Sequence, residues 1–335
     1  MSPVPEYFFP VVSSTMDVAR RIARGEVPNR GDRVSNSASD DPSESPVYPP
    51  GAPGRRIDRP APDDPATPPE LFRVRSDHQT AGRGRRGNRW FDRPGDAIMM
   101  TIALRRGSSH DPEDANPGTL ALRAGAVLVA TLTRRSTGTD RSGGTSGAMP
   151  FTGVPAGEAV PPGASVADVA VKWPNDILYR NRKVAGILVE GDSRWFYIGI
   201  GINAYPPDDS AAALYSRVVT AGDAPLHESA PPDADARRSV VAPGTIREIP
   251  GCPVGRAFLD RFDDRFLHLI HGDRWYPLVS EHLAWVGRTV TVGDGAREIS
   301  GTLRGIAPDG AALIETDSTR VSCYAGTMRL ADPSR

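Results

Sequence analysis

Residues 171–191 read VKWPNDILYRNRKVAGILVEG, and this stretch decides how the rest of the chain is read. Val171–Trp173 ends a short apolar strand, and Pro174 with Asn175 and Asp176 forms a turn that leaves an amide and a carboxylate at a strand end. Lys183 follows a second turn and precedes the strand VAGILVE, where Gly186 permits close backbone approach. Lys172 puts a charge at the end of an otherwise apolar strand. A lysine and a carboxylate meeting at one sheet end suit nucleotide chemistry, lysine for phosphate and aspartate for Mg²⁺. An ordinary hairpin rich in turn formers is the plainer explanation of the same residues.

Working outward, a regular core emerges. YFFPVV predicts a strand and SSTMDVARRIARG a helix, with Ser14 as N-cap, Asp17 three residues on and Gly25 as the stop. LFRVRS and DAIMMTIALR predict strands on either side of TAGRGRRGNRW, residues 80–90, which holds four arginines and three glycines. Glycine lets a backbone approach a ligand, and arginine offers a planar fork of donors to an anion. GTLALRAGAVLVATLTRR carries a helical stripe at Leu120, Ala124, Val127, Leu128 and Leu132. WFYIGIGINA predicts a strand with Gly199 and Gly201 on one face, a flat shelf without side chains, and Ile198, Ile200 and Ile202 on the other. RAFLDRFDDRFLHLI is an amphipathic helix with Phe258, Phe262, Phe266 and Leu269 on one face. After Gly287 the texture changes to short strands, a small β-barrel.

Three segments break this order. Residues 27–69, 136–164 and 206–250 are rich in Pro, Gly, Ser and Asp, too polar to offset the entropy of ordering, and read as poorly ordered insertions in one domain. The fold class expected is therefore α+β: a mixed sheet with flanking helices over 1–286, followed by a small all-β domain over 287–335.

Composition narrows the function. Lys+Arg total 40 against Asp+Glu 41 in 335 residues, a formal net charge of −1, so the arginine cluster is a local device and not part of a cationic nucleic-acid-binding surface. Cys252 and Cys323 are the only cysteines, which argues against a disulfide framework and suits a reducing, cytoplasmic setting. The start has no basic n-region, and no stretch approaches the ~18 apolar residues of a membrane span. No Walker A motif and no strand–GxGxxG–helix fingerprint occurs.

In order along the chain, STMDVA, HQTAGRGRRGNRW, KWPNDILYRNRKVAGILVE and IGIGINA resemble the biotin–protein ligases, and the terminal β domain is similar to that family's SH3-like C-terminal domain. The resemblance implies ATP-dependent activation of biotin as biotinyl-5′-AMP, with Mg²⁺, and transfer to a lysine of a biotin carboxyl carrier protein. It implies catalytic roles for Lys183, Arg85 and Asp176, and a biotin site of Ser14, Thr15, Met16, Gln79, Arg83, Gly84, Arg85, Lys183 and Gly186. It implies an ATP or adenylate site of Arg83, Arg85, Arg86, Arg89, Trp90, Lys172, Asn175, Asp176 and Asn203, with Asp176 on the metal and Trp90 packing under the loop. The pattern differs at Met16, where the family usually has asparagine, and at Asn88, where arginine is common and Arg89 stands next. The first catalytic strand begins by Tyr7, so no DNA-binding winged helix and no DNA or membrane partner is expected, while the resemblance admits a homodimer. The alternatives are a lipoate-type protein ligase of the same fold, which lacks the GRGRRG and KWPND pairing, and a non-catalytic adenylate- or RNA-binding module, against which the intact Lys183, Asp176 and Arg85 stand.

Overall fold

A computed structural model of the chain describes residues 4–26, 68–92, 95–112, 115–133, 168–204, 243–249, 251–293 and 298–331. Of the three polar segments, nearly all residues lie outside those described. Seven strands form one hydrogen-bonded sheet, and five more form a second. By compactness the chain divides into two units, Met1–Asp111 with Leu188–Gly201 and Pro112–Ile187 with Ile202–Arg335.

In the first unit, β1 (Glu6–Val12) runs parallel to β2 (Leu71–Gln79), and β2 pairs antiparallel with β3 (Ala97–Arg105). Helix α1 (Thr15–Ala23) buries Met16, Val18, Ala19 and Ile22 against Phe72 and Val74 of β2. Ser14 takes the N-cap position in extended conformation, but its side chain makes no capping bond. Gly25 ends the helix at φ 77°, a left-handed conformation that glycine adopts without strain. The first half of β2 is buried, and within it Arg73 is 0% exposed. Its guanidinium sits 2.8 Å from Glu6, directly opposite in the parallel register. A buried guanidinium needs that counter-charge.

In the second unit, β4 (Val169–Lys172), β5 (Asp176–Tyr179) and the first part, up to Ile187, of β6 (Arg182–Gly191) form an antiparallel meander. The β5–β6 hairpin turns on Arg180 and Asn181, both at positive φ, the requirement of a type I′ turn. Helix α2 (Pro117–Leu132) starts with a capping box between Asn116 and Thr119. Every residue from Thr119 to Leu132 is buried, not just the stripe the spacing predicts. Gly125 abuts Val171, Ile177 and Ile187 of the sheet, while the far side meets α3 (Arg256–Leu269) and α4 (Trp275–Glu281). Being sandwiched between sheet and helices removes the need for a polar face. Phe258, Phe262 and Phe266 stack along α3 with centroids 6.2 and 5.9 Å apart.

The last strands, β8 (Thr289–Gly293), β9 (Glu298–Ile306), β10 (Ala312–Glu315), β11 (Arg320–Cys323) and β12 (Thr327–Leu330), form an all-antiparallel sheet in the order β11-β10-β9-β8-β12, as in a small SH3-like domain. Two bonds tie it into the second unit. Trp173 Nε1 donates to the Gly310 carbonyl at 2.9 Å, and the Tyr276 hydroxyl donates to the Ile306 carbonyl at 3.0 Å.

The third polar segment departs from expectation at its end. Residues 243–249 pack as a short 3₁₀ turn, Ile246–Glu248, with Thr245 and Ile246 fully buried and Glu248 capping Thr245. Two buried apolar side chains, Ile246 and Ile249, and a capping box accompany this order, which a composition average over the whole segment hides.

Replacing Glu6 with alanine removes a carboxylate from the buried Arg73 guanidinium. We expect a loss of about 3 kcal/mol in urea-unfolding stability; a loss below about 0.5 kcal/mol would show that Arg73 does not depend on this pair.

Candidate active site

The arginine loop of the first unit is a small hairpin. Trp90 N–H donates to Gly82 O at 2.9 Å, Gly84 N–H to Asn88 O at 2.7 Å, and Arg83 and Arg89 form a bridge between them. At the tip, Arg85–Gly87 makes one 3₁₀ turn, with Arg86 at φ 56° and Gly87 at φ 76°. The fold thus confines Arg83, Arg85, Arg86 and Arg89 to one short loop. Arg83 bonds Asp17 of α1 at 2.7 Å, and Arg89 lies over the Phe91 ring. The hairpin, Ser13, Asp17, Leu188 and Glu190 line a cavity of about 520 Å³. That volume suits a small ligand.

Strand β7 (Trp195–Asn203) packs against the hairpin's Trp90. Its glycine face is not the open shelf that the sequence suggests. A Cβ on Gly201 would lie 2.5 Å from the Trp90 indole, and one on Gly199 2.8 Å from the Met16 methyl. The missing Cβ atoms are what admit these two side chains, and Trp90 packs under the loop. Gly82 is constrained in the same way, since a Cβ there would lie 2.5 Å from Trp90 O.

Next to Met16, Thr15 N–H and Oγ1 both donate to Gln79 Oε1, at 2.8 and 3.1 Å. Thr101 Oγ1 shares a 2.9 Å hydrogen bond with Thr15 Oγ1. Ser14, Thr15, Met16 and Gln79 therefore stand together as predicted, with Ser14 to Met16 buried. Thr101 was not predicted; a lone hydroxyl inside AIMMTIALR is its only sequence signal. Asp17, Leu188 and Glu190 were likewise missed as lining residues.

The second unit holds the other predicted group. In register, Asp176 of β5 faces Lys172 of β4 and Gly186 of β6. Lys183 Nζ lies 2.7 Å from Asp176 Oδ1, and Lys172 Nζ lies 3.5 Å from Oδ2 and 5.4 Å from the Trp285 ring. Burial alone would push the Asp176 carboxyl up; the Lys183 and Lys172 ammonium groups outweigh it and hold the carboxyl below the ordinary aspartate range.

Two predicted ligand contacts turn inward. Asn175 Nδ2 donates to Ile187 O at 2.9 Å, locking the turn onto β6. Asn203 Nδ2 donates to Lys183 O at 3.1 Å and Gly244 O at 3.3 Å, and Gly244 N–H donates to Lys183 O at 3.0 Å. Asn203 and Gly244 thus hold the backbone from which Lys183 projects. As a Mg²⁺ ligand Asp176 fits poorly, because both its oxygens already face ammonium groups. Among the described residues no three His, Cys, Asp or Glu side chains gather as a metal set.

Mixed sheet, arginine hairpin and terminal β domain together define the class, a ligase-type α+β domain followed by a small antiparallel sheet. Residues 68–203 match the Biotin/lipoate A/B protein ligase family, and residues 286–330 match the Biotin protein ligase C terminal domain. Residues 68–203 thus carry the Biotin/lipoate A/B protein ligase region. It is 30% identical over 247 residues to the Bifunctional ligase/repressor BirA of Escherichia coli (strain K12), covering 72% of this chain and 61% of that one. It is 30% identical over 152 residues to the Biotin--[acetyl-CoA-carboxylase] ligase of Mycobacterium tuberculosis (strain ATCC 25618 / H37Rv), 44% of this chain and 46% of that one. The chain thus spans less than two thirds of the length of either relative. The structure of the biotin protein ligase from Aquifex aeolicus in complex with biotin and ATP shares the fold at a TM-score of 0.53 and 18% identity, over 98% of both chains. No helix among the described residues is long and apolar enough to cross a membrane.

Gly201→Ala should force Trp90 off β7, at a cost of about 1–3 kcal/mol, and raise amide hydrogen exchange across residues 82–90; unchanged exchange would show that the indole does not seat the hairpin. Asp176 is an acid-sensitive group of the second unit. Its ionised form favours the fold, so its contribution is present above the unfolded value of about 3.9 and fades as pH falls through the lower native value. Asp176→Asn should unfold at lower urea than the unsubstituted protein at pH 7, with the gap closing below about pH 4. A gap that stays constant into acid would mean that the carboxylate charge is not what stabilises the site.

Proposed function

We propose that this chain is an ATP-dependent biotin–protein ligase. It activates biotin as biotinyl-5′-AMP and passes the biotinyl group to a lysine of a biotin carboxyl carrier protein, in the cytoplasm. The observation that carries the reading is the four-arginine hairpin on the rim of a cavity of about 520 Å³, within a chain whose residues 68–203 match the biotin/lipoate ligase family. The M. tuberculosis relative is named for acetyl-CoA carboxylase, which supports a carboxylase subunit as acceptor.

The first step joins two anions. A biotin carboxylate oxygen attacks the α-phosphorus of ATP, the bond to the bridging oxygen breaks, and pyrophosphate leaves. Such an encounter needs cations held in advance. Lys183 is assigned to that task, with Asp176 orienting its ammonium and Asn203 and Gly244 fixing its backbone. The arginines of the hairpin, Arg83 and Arg85 foremost, are assigned to the carboxylate and phosphate, and Thr15 and Gln79 to the biotin ring. Mg²⁺ enters as the counter-ion of ATP, part of the substrate. In the second step the carrier lysine amine attacks the acyl carbon, and AMP leaves. Burial pushes the Cys252 thiol up to about 11, and no step uses it.

Lys183→Ala should reduce biotin-dependent ATP–pyrophosphate exchange by about a hundredfold or more with circular dichroism unchanged; exchange at the normal rate would refute the role. Arg85→Gly should release the adenylate early, so that lysines of bystander proteins become labelled. Unchanged selectivity would count against the hairpin as the adenylate's cover.

A further inference from the structure

Beyond the hairpin, the chain carries a buried acid for which the proposed reaction has no use. The Asp92 side chain is 0% exposed and stands two residues past the hairpin base at Trp90. Its Oδ2 lies 2.9 Å from His78 Nδ1 and accepts the Gln79 backbone N–H at 3.2 Å. A carboxylate can only accept, so His78 Nδ1 carries the proton and donates. Asp92 Oδ1 is also buried and has no hydrogen-bond partner among the described residues. A buried carboxylate with one unsatisfied oxygen is costly, and it persists only where its other contacts over-determine its place.

Those contacts join two parts of the first unit that the reaction needs in register. Gln79, whose amide N–H bonds Asp92, receives Thr15 N–H and Oγ1 on its side-chain oxygen. The chain of bonds therefore runs from the end of the arginine hairpin through Asp92 and Gln79 to Thr15. Trp90 is the hairpin's packing anchor on Gly201, whereas Asp92 is its polar anchor on β2.

We propose that Asp92 is a positioning residue. Through Gln79, and held by His78, it fixes the arginine hairpin relative to the Thr15–Gln79 network, and so sets how long an acyl-adenylate stays bound without setting how fast it forms. The retention half rests on the biotin-ligase reading; the anchoring half does not.

Two readouts on the full chain keep these apart. The first is the rate of tryptic cleavage after Arg83, Arg85, Arg86 and Arg89 in the ligand-free protein, followed by mass spectrometry. The second is the half-life of enzyme-bound adenylate made from biotin and MgATP, alongside its single-turnover formation rate. Asp92→Ala should speed hairpin cleavage and shorten the half-life by about tenfold each, while formation changes by no more than about twofold. His78→Phe should act in the same direction. His78→Asn, whose amide places a donor where Nδ1 stood, should restore both values. A merely structural role would slow formation in step with retention and would not be rescued by asparagine.

Hairpin cleavage at the unsubstituted rate in Asp92→Ala would overturn the anchor. Faster cleavage with an unchanged half-life would overturn the retention role. Should Asp92→Ala fail to fold, His78→Phe, at a side chain 26% exposed, decides the same two points. If the unsubstituted protein makes no adenylate, the biotin-ligase reading and the retention role fall together, and the cleavage rates still decide the anchor.

Discussion

Two absent Cβ atoms govern the first unit. Gly199 and Gly201 alternate with isoleucines along β7, so at these two positions one face of the strand is bare backbone while the other is core. Met16 and Trp90 take up that bareness, with the Trp90 indole lying where a side chain on Gly201 would stand. A hairpin of arginines has little reason of its own to hold a shape, since its charges repel and its glycines are costly to order. Seating an indole, which is large, rigid and apolar, gives it an anchor that does not depend on charge. The Asp17–Arg83 pair and the Asp92 contacts then fix its direction.

The second unit solves a related problem with charge. Lys172 and Lys183 stand on separate strands and would repel; Asp176 lies between them, close to both. The carboxylate stays ionised despite its burial, because two ammonium groups outweigh the cost of desolvation. The arrangement leaves Lys183 partly exposed and oriented, with its backbone held by Asn203 and Gly244. It also explains why the aspartate is better described as the partner of two lysines than as a metal ligand.

Much of this was legible in the residues. The strands follow β-branched and aromatic runs, α3 shows its phenylalanine stripe, and the glycine and arginine spacing marks the loop. What the sequence could not show is where a side chain turns. Asn175 and Asn203 have the chemistry to bind a ligand and instead bind backbone carbonyls, because a turn and a strand end each left a carbonyl within reach. The stripe in α2 gives no sign that a second layer of helices covers its other side. Thr101 and Asp92 matter only through partners distant in sequence, Thr15 and His78, which spacing does not reveal. Averaging over residues 206–250 likewise hid the ordered turn at Ile246–Glu248.

The central claim is that this chain joins biotin to AMP. The most direct test offers biotin, lipoate and octanoate together to the purified protein with ATP and Mg²⁺, and reads the adenylates by mass spectrometry. The account predicts biotinyl-5′-AMP and neither of the other two. A lipoyl or octanoyl adenylate in its place, or none at all from folded protein, would contradict it.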